Sequence, residues 1–159
     1  MIITPRNQYE WAEMAKFLYE YAHVEPSPNL RMIGWTDETD AIRCIVALNS
    51  FLGKLAQIHV AYHPGWHYTP RALLRAVFRY AFIDCKLKLL LGLVNGNNDK
   101  ALTFDKHLGF RELYRMPQMH DDDGDLVVLG MYPDDCQFLD IEDKSKRSNA
   151  DGRLNYAIS

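Results

Sequence analysis

Residues 87–110 read LKLLLGLVNGNNDKALTFDKHLGF, and this stretch decides the fold. Residues 87–94 are almost all apolar, which is typical of a strand covered on both faces of a sheet. The polar run Asn-Asn-Asp at 97–99 can cap a helix, and Gly109 is suited to end it. The sequence therefore predicts a buried strand followed by a helix, with Phe110 opening the next strand.

The residues before this stretch predict the other half of a strand-helix-strand unit. Residues 55–63 alternate in polarity, so His59 is expected on one face of a central strand and Val60 on the other. Thr69 and Pro70 then give a helix-start signal, because a hydroxyl can cap free amides and proline fits the first helical turn. Two strands joined by a helix in this way are expected to be parallel, with a right-handed crossover.

The remaining segments complete a mixed α/β pattern. The pair Thr4-Pro5 predicts the start of an amphipathic helix that ends before Pro26. Further strands are predicted for residues 30–35, 41–48, 110–116 and 126–132. This order of elements indicates a mixed sheet with helices on its faces.

The length of 159 residues fits one ordinary domain, and the 48% hydrophobic composition is enough for a packed core. From Glu142 onward the chain is polar and charged, and it has too few large apolar residues to order itself. The sequence therefore predicts one domain over residues 1–139 and a flexible C-terminal tail over residues 140–159.

Charge and cysteine content exclude several classes of function. The chain has 18 basic and 21 acidic residues and a net charge of −3, so no overall positive field favours nucleic acid. No apolar stretch has the length of a membrane span, and the N-terminus lacks a signal-peptide pattern. Three cysteines, far apart and odd in number, indicate a reducing compartment. We expect a cytoplasmic protein that binds neither nucleic acid nor membrane.

Two polar clusters raise the question of a metal site. The acidic run at 119–125 lacks the regular oxygen ligands and the final glutamate of a calcium-binding loop, so it is interpreted as a solvated turn. His59, His63 and His67 are spaced by four, but a proline-glycine pair interrupts any helix that would align them. No metal is predicted.

Residues 94–110 resemble a segment of the Gcn5-related N-acetyltransferase (GNAT) superfamily, which reads roughly N-x-x-A-x-x-x-Y-x-x-x-G-F. The element order of residues 1–133 is similar to the fold of that superfamily. The resemblance implies a twisted, mostly antiparallel sheet with helices on both faces and a splayed central pair of strands, here 55–63 and 87–94. Details of residues 76–80, 103–110 and 124–136 look like a small branch associated with bacteriophage genomes.

The resemblance also implies an activity, the transfer of an acetyl group from acetyl-CoA to an amine by direct attack. His59 is then the candidate general base, because an imidazole can accept a proton at neutral pH. Asp105 aligns with the tyrosine that often protonates the leaving thiolate in the family. The implied cofactor-binding residues are Val60, Tyr62, Trp66, His67, Tyr68, Thr69, Arg71 and Asn98.

Two departures from the family pattern bear on catalysis. The family's glycine-rich pyrophosphate loop corresponds here to residues 65–70, where Tyr68 and Pro70 replace small residues. Thr69, as a helix cap, would also occupy amides that a phosphate needs. Asp105 is ionised at neutral pH unless burial raises its pKa, and its alternative role is that of a cleft-edge carboxylate that pairs with a cation or hydrogen-bonds to the backbone.

Three functions stay open at this point. The first is an acetyl-CoA-dependent N-acetyltransferase whose acceptor is an amine-bearing small molecule or protein. The second is a catalytically degenerate GNAT-fold protein, phage-encoded, that binds a host protein in the host cytoplasm or serves as a virion component. The third is a CoA binder or sensor without turnover. An apolar strand edge near residues 126–131 suggests a homodimer seam.

Overall fold

The computed structural model describes residues 1–140 and 142–144. In chain order the elements are β1 (Ile2–Ile3), α1 (Gln8–Ala22), β2 (Arg31–Thr36), β3 (Ile42–Leu52), β4 (Leu55–Tyr62), α2 (Arg71–Arg79), β5 (Leu89–Asn95), α3 (Asp99–Leu108), β6 (Arg111–Met116) and β7 (Leu126–Met131). A π-helical turn, Tyr80–Asp84, extends α2, and a 3-10 turn, Pro133–Asp135, follows β7. The element order is the predicted one.

The strands form one seven-stranded sheet in the order β1-β2-β3-β4-β5-β7-β6. Only the β4–β5 pair is parallel, because α2 carries the chain from one of these strands to the other. All other neighbours are antiparallel. The prediction of a mixed, mostly antiparallel sheet is therefore confirmed.

Helices cover both faces of the sheet. On one face α1 packs against β2, β3 and β4, where Leu18, Ile45 and Ala61 belong to one buried cluster. On the other face α2 and α3 share a cluster with β5 and β7, which includes Phe78 and Leu102. Successive side chains of a strand point to opposite faces of the sheet, so alternate residues belong to the two clusters.

The central parallel pair is splayed. β4 and β5 pair only from Leu55 opposite Leu89 to Gln57 opposite Leu91. Beyond that point neither the rest of β4 nor the rest of β5 has a partner across the gap, although β4 stays paired with β3 and β5 with β7. This fork is the one that the family resemblance implies.

Two predicted helix starts are wrong in detail. The first helix begins at Gln8 rather than after Thr4, because the side-chain oxygen of Asn7 accepts the backbone N–H of Glu10 at 2.9 Å. It ends before Pro26, as predicted. The second helix is capped by Pro70, which offers no side-chain hydrogen bond, rather than by Thr69.

The strand edge predicted as a dimer seam is not free. β7 lies between β5 and β6 and pairs with both, so residues 126–131 have no open backbone edge. The edge of the sheet on this side is β6. The sequence could not reveal this, because two adjacent apolar strands do not show which one will be outermost.

The chain after the sheet packs onto α2. Asp140 accepts a hydrogen bond from Arg75 at 2.7 Å, and the buried carboxylate of Asp143 pairs with Arg79. Phe138 stacks on Phe78 of α2. The domain boundary at residue 139 stays a prediction, and most of the predicted tail, residue 141 and residues 145–159, lies outside the described residues.

Candidate active site

A cavity of about 660 Å³ opens where β4 and β5 separate. This volume is in the range of small-molecule and cofactor sites. Eight of the residues proposed from the sequence line it: His59, Val60, Tyr62, Trp66, His67, Thr69, Asn98 and Asp105. Tyr68 and Arg71 are not part of the lining.

The backbone of β4 presents unpaired N–H groups to the cavity. The N–H of His63 donates to the backbone oxygen of Arg43 on β3 at 2.9 Å. Successive N–H groups of a strand point to opposite sides, so every second N–H back along β4 from His63 also points to β3, and the ones between point to β5. Those of Val60 and Tyr62 therefore face the β5 side, where pairing has stopped. They can donate to a ligand in the fork.

The N-terminus of α2 is open to an anion. The N–H of Leu74 is the first to find a helical carbonyl, that of Pro70, so the N–H groups of residues 71–73 have no partner within the helix. No side-chain cap closes this end. The hydroxyl of Thr69 instead bonds the hydroxyl of Tyr62 at 2.5 Å. From the sequence, Thr69 is expected to occupy the amides that a phosphate would need, but in the structure it leaves the N–H groups at the start of α2 open.

Gly92 keeps the cavity wide on the β5 side. It is buried in the middle of β5 and lines the cavity. A Cβ at this position would meet only Leu129 Cβ, at 4.0 Å, so packing within the protein does not require glycine here. Any larger side chain would enter the cavity. A glycine inside an otherwise apolar strand often marks a close approach by a ligand.

His59 reaches the cavity from the face that α1 covers. Ala61 packs against α1, and His59, two residues earlier on the same strand, points to the same face. Its Nε2–H donates to the side-chain oxygen of Asn49 at 2.7 Å, which leaves Nδ1 with a free lone pair. Burial lowers the pKa of His59, so the ring is neutral at pH 7.

Asp105 reaches the cavity from α3, on the opposite face. Desolvation raises the pKa of its half-buried carboxyl to about 6. Among the described residues it has no ion-pair partner, so the alternative of a cation-paired carboxylate is not realised there. Burial raises the pKa of Tyr62, and the negative charge of Asp105 adds to that shift.

Trp66 and Tyr68 do not block the cavity. Their rings stack with centroids 4.5 Å apart, and the indole N–H of Trp66 donates to the backbone oxygen of Tyr68 at 2.7 Å. Trp66 forms part of the wall, whereas Tyr68 is exposed outside it. Arg71 also points away, with its guanidinium 5.3 Å from the ring centre of Phe138.

Asn98 caps a helix and also lies in the cavity wall. Its side-chain oxygen caps α3 by accepting the N–H of Ala101 at 3.1 Å. The same residue lines the cavity. Because the cap uses only the oxygen, its amide NH₂ is left for a ligand.

Sequence reasoning missed several residues of the lining. Tyr21 and Ala22 come from the end of α1, Gly92 and Leu93 from β5, and Lys100 from α3. Only Gly92 carried a signal in the sequence, as the single glycine in an apolar strand. The others are brought to the cavity by packing between elements that are distant in the chain.

Comparison with solved structures places the chain in the GNAT fold. A chimera of Vibrio cholerae spermidine N-acetyltransferase SpeG and hSSAT superposes with a TM-score of 0.70 at 14% identity, covering 88% of this chain and 99% of that one. The Vibrio cholerae spermidine N-acetyltransferase in complex with CoA and spermine gives 0.67 at 14%, covering 88% and 98%. The ribosomal-protein-S18-alanine N-acetyltransferase from Escherichia coli gives 0.65 at 14%, covering 83% and 92%.

Sequence comparison adds no closer relation. No protein-family model matches the chain, and no curated protein matches it. The fold is that of the GNAT N-acetyltransferases, and the sequence has diverged far from the proteins compared.

The described residues contain neither a membrane-spanning helix nor a cluster of metal ligands. No helix among them is long and apolar enough to cross a membrane. No group of three or more His, Cys, Asp or Glu side chains within residues 1–140 and 142–144 is arranged to hold a metal ion.

Proposed function

We propose that this protein is an acetyl-CoA-dependent N-acetyltransferase. The observation that carries the proposal is the fork between β4 and β5, which opens into a cavity of about 660 Å³ with donors on one side and ionisable groups on both faces. A fold alone does not establish a function, and this site is the feature that supports one.

The chain's own groups fit the cofactor. The open N–H groups at the start of α2 suit a pyrophosphate, because a helix N-terminus offers donors and a positive dipole end to an anion. The amides of Val60 and Tyr62 and the side chain of Asn98 would hold the pantetheine arm along the fork. Gly92 leaves room for that arm. Acetyl-CoA, when bound, supplies the thioester carbonyl that an amine attacks.

His59 is proposed as the general base. A protonated acceptor amine must lose a proton before it can attack a carbonyl, and the neutral ring of His59 has Nδ1 free to take it. Asn49 fixes the tautomer by accepting the Nε2–H. Because His59 lies on the α1 face, the acceptor would enter from that side, between Tyr21 and Leu93.

Asp105 is proposed as the proton donor to the leaving thiolate. The family uses a tyrosine at the matching position, and an ionised aspartate would repel a thiolate. With the pKa at about 6, the protonated form is a substantial fraction of the molecules in mildly acidic solution and a small one at pH 8. This assignment makes the reaction faster on the acid side of neutrality.

The acceptor is proposed to be an amine on a small molecule or a protein. Two of the structural neighbours are named for spermidine and one for the alanine of a ribosomal protein, so both kinds of acceptor occur within this fold. Acceptor specificity is expected in residues 25–29 and 116–124, because binding residues of a scaffold are often carried by its connecting loops.

Calorimetric titration with acetyl-CoA is the decisive experiment. We expect binding, followed by thiol release when amines are supplied, and a lower rate for His59→Ala. Asp105→Tyr should move the alkaline limit of activity upward, because a tyrosine keeps its proton to about pH 10. If millimolar acetyl-CoA gives neither heat nor a thermal shift, the proposed function is contradicted. If both variants keep the wild-type rate, the roles assigned to His59 and Asp105 are contradicted.

A protein that binds without catalysis is the second candidate, and the aspartate in place of the family's tyrosine favours it. Binding of acetyl-CoA without turnover on any amine would indicate a CoA binder or sensor. Absence of binding would indicate a degenerate GNAT-fold protein that acts through a partner. A bacteriophage origin and a cytoplasmic location rest on the sequence alone and remain predictions.

A further inference from the structure

The outer strand β6 exposes apolar side chains at the edge of the sheet. Leu113 is 41% exposed and Tyr114 is 65% exposed. Within residues 1–140 and 142–144, β6 pairs only with β7, so no described strand pairs with its other side over residues 111–116. No proline lies within the strand. Open edges with apolar side chains are templates for pairing with another chain.

A bulge determines which side chains share a face. The pairing shifts between Glu112, opposite Leu129, and Tyr114, opposite Val128, so Leu113 is the extra residue. Leu113 lies over Gly130, where a Cβ would collide with its side chain. Because Gly130 and Val128 are two residues apart on β7, Leu113 and Tyr114 both lie on the α1 face of the sheet.

Two charged residues of β6 lie on the other face, whereas Arg111, opposite Gly130, shares the face of Leu113 and is paired with Asp135 at 2.8 Å. Glu112 and Arg115 are opposite Leu129 and Val127, which belong to the cluster under α2 and α3. Their side chains form an ion pair at 2.6 Å within the strand, and each is about 40% exposed. Arg115 also contacts Asp125 at 3.1 Å, and such exposed ion pairs are weak in water, so Glu112 and Arg115 can exchange them for partners on another copy.

The order of residues in β6 is self-complementary. Consider two β6 strands that run antiparallel about a two-fold axis between Leu113 and Tyr114. Leu113 of each copy then lies opposite Tyr114 of the other, and Glu112 of each lies opposite Arg115 of the other. The bulge makes the faces agree, because Leu113 and Tyr114 point to one face, and Glu112 and Arg115 point to the other. A strand without the bulge would set Leu113 and Tyr114 on opposite faces.

We infer that β6 is a homodimer interface, in which two copies pair edge to edge into a sheet of fourteen strands, twice the seven of one copy. The partner is a second copy, because charge and apolar positions match under the two-fold operation that most dimers use. Opposite charges directly across a strand pair stabilise it, and like charges destabilise it. None of residues 111–116 lines the cavity, so the interface is independent of the proposed activity.

The association is expected to depend on concentration. Pairing one strand from each copy buries less surface than a standard interface, so a dissociation constant of roughly micromolar is expected. Sedimentation velocity from about 1 to 300 μM should show monomer passing to dimer across that range. A monomer at every concentration would overturn the inference and indicate that the bulge prevents the outer edge of β6 from pairing with a second copy.

One substitution tests the apolar contact with a matched control. Tyr114→Asp should abolish the dimer, because the new carboxylates of the two copies would lie close to each other at the two-fold axis. Tyr9→Asp makes the same chemical change at another exposed tyrosine, on α1, and should leave the dimer unchanged. A dimer that survives Tyr114→Asp, or is lost equally in Tyr9→Asp, contradicts the proposed seam.

Mixing two charge variants tests the pairing directly. Glu112→Arg gives a copy with two arginines at these positions, and Arg115→Glu gives a copy with two glutamates. Each variant alone should remain monomeric, while an equimolar mixture should form a heterodimer. A mixture that stays monomeric, with both variants folded by circular dichroism, excludes the register. Acetyl-CoA titration of the same variants should match the wild type, so a failed interface and a failed active site give different results.

Discussion

Nε2 of His59 on β4 lies 2.7 Å from the side-chain oxygen of Asn49 on β3. The contact joins neighbouring strands on the face that α1 covers and fixes which ring nitrogen carries the proton. A histidine held in this way has one nitrogen committed to structure and one free for chemistry. The cavity therefore has a proton acceptor whose orientation does not depend on the ligand.

His59→Ala is expected to lower kcat by about 10²–10⁴-fold, the usual contribution of a general base. The KM for acetyl-CoA should change little. His63→Ala is the control, because that histidine lies at the end of the same strand but contacts Arg43 and Pro64 outside the cavity. Steady-state kinetics of both variants check the prediction, and equal losses in the two would contradict it.

The acid limit of activity should lie below pH 6.5. Burial lowers the pKa of His59, so the folded protein keeps the ring neutral to a lower pH than the unfolded chain does. As pH falls through the lowered pKa, the ring takes up a proton and can no longer act as a base. A profile of kcat/KM against pH measures this limit, and an acid limb above pH 6.5 would refute the assignment.

Asp105→Asn is expected to raise the free energy of unfolding at pH 7.5. The pKa of Asp105 is raised to about 6 in the folded protein, whereas the unfolded chain ionises this group at a lower pH. At neutral pH the charged carboxylate is therefore better accommodated in the unfolded chain, which lowers the free energy of unfolding. The gain should be on the order of 1–2 kcal/mol, reduced by partial exposure to solvent. It should be much smaller at pH 4 and vanish below about pH 3, where both states are protonated.

Urea unfolding at pH 4 and pH 7.5 measures the difference. Asp99→Asn on the same helix is the control, because this exposed residue lies in the first turn, where its charge favours the helix. The control should not gain stability at pH 7.5. A gain for Asp105→Asn that is equal at both pH values would show that ionisation is not its cause.

Gly92→Val is expected to abolish acetyl-CoA binding while the protein stays folded. The added side chain enters the cavity, and its Cβ meets only Leu129 within the protein. Leu91→Val, the neighbouring position on the other face of β5 and outside the cavity lining, should bind normally. Calorimetry and thermal melting of both variants check this, and normal binding by Gly92→Val would place the ligand elsewhere.

Arg79→Ala is expected to destabilise the protein more than Asp143→Ala does. The side chain of Asp143 is 1% exposed, so removing Arg79 leaves a buried carboxylate without its main partner, at a cost of about 3 kcal/mol. Arg79 is partly exposed, so water can solvate it when Asp143 is removed. Arg6→Ala, which breaks an exposed pair with Glu10, should have little effect on stability, because water screens that pair. The reverse order in urea unfolding would contradict the argument.

The fold was predictable because its signals are local. The apolar run at 87–94, the alternation at 55–63 and the proline before α2 each determine one element through backbone and burial preferences. The start of α1 was misplaced because Thr4 and Asn7 are both competent caps, and the sequence does not show which one the chain uses. Side-chain competition of this kind is resolved only by tertiary contacts.

The site was predictable in part, for a different reason. Residues on β4 and at the start of α2 follow from the strand-helix-strand unit, and most of them line the cavity. Tyr21 and Lys100 arrive from elements that are far apart in sequence. The direction of the Thr69 hydroxyl also depends on tertiary structure, because Tyr62 offers a partner that no sequence pattern reveals.

Phe138 joins the C-terminal segment to the cavity through one ring. It stacks on Phe78 with centroids 5.3 Å apart, and Phe78 is itself part of the cavity wall. The segment that follows is held by Arg75 and Arg79 on the same helix. Filling the cavity would therefore restrain Phe78, and amide hydrogen exchange around residues 136–140 would slow, although that segment touches no ligand.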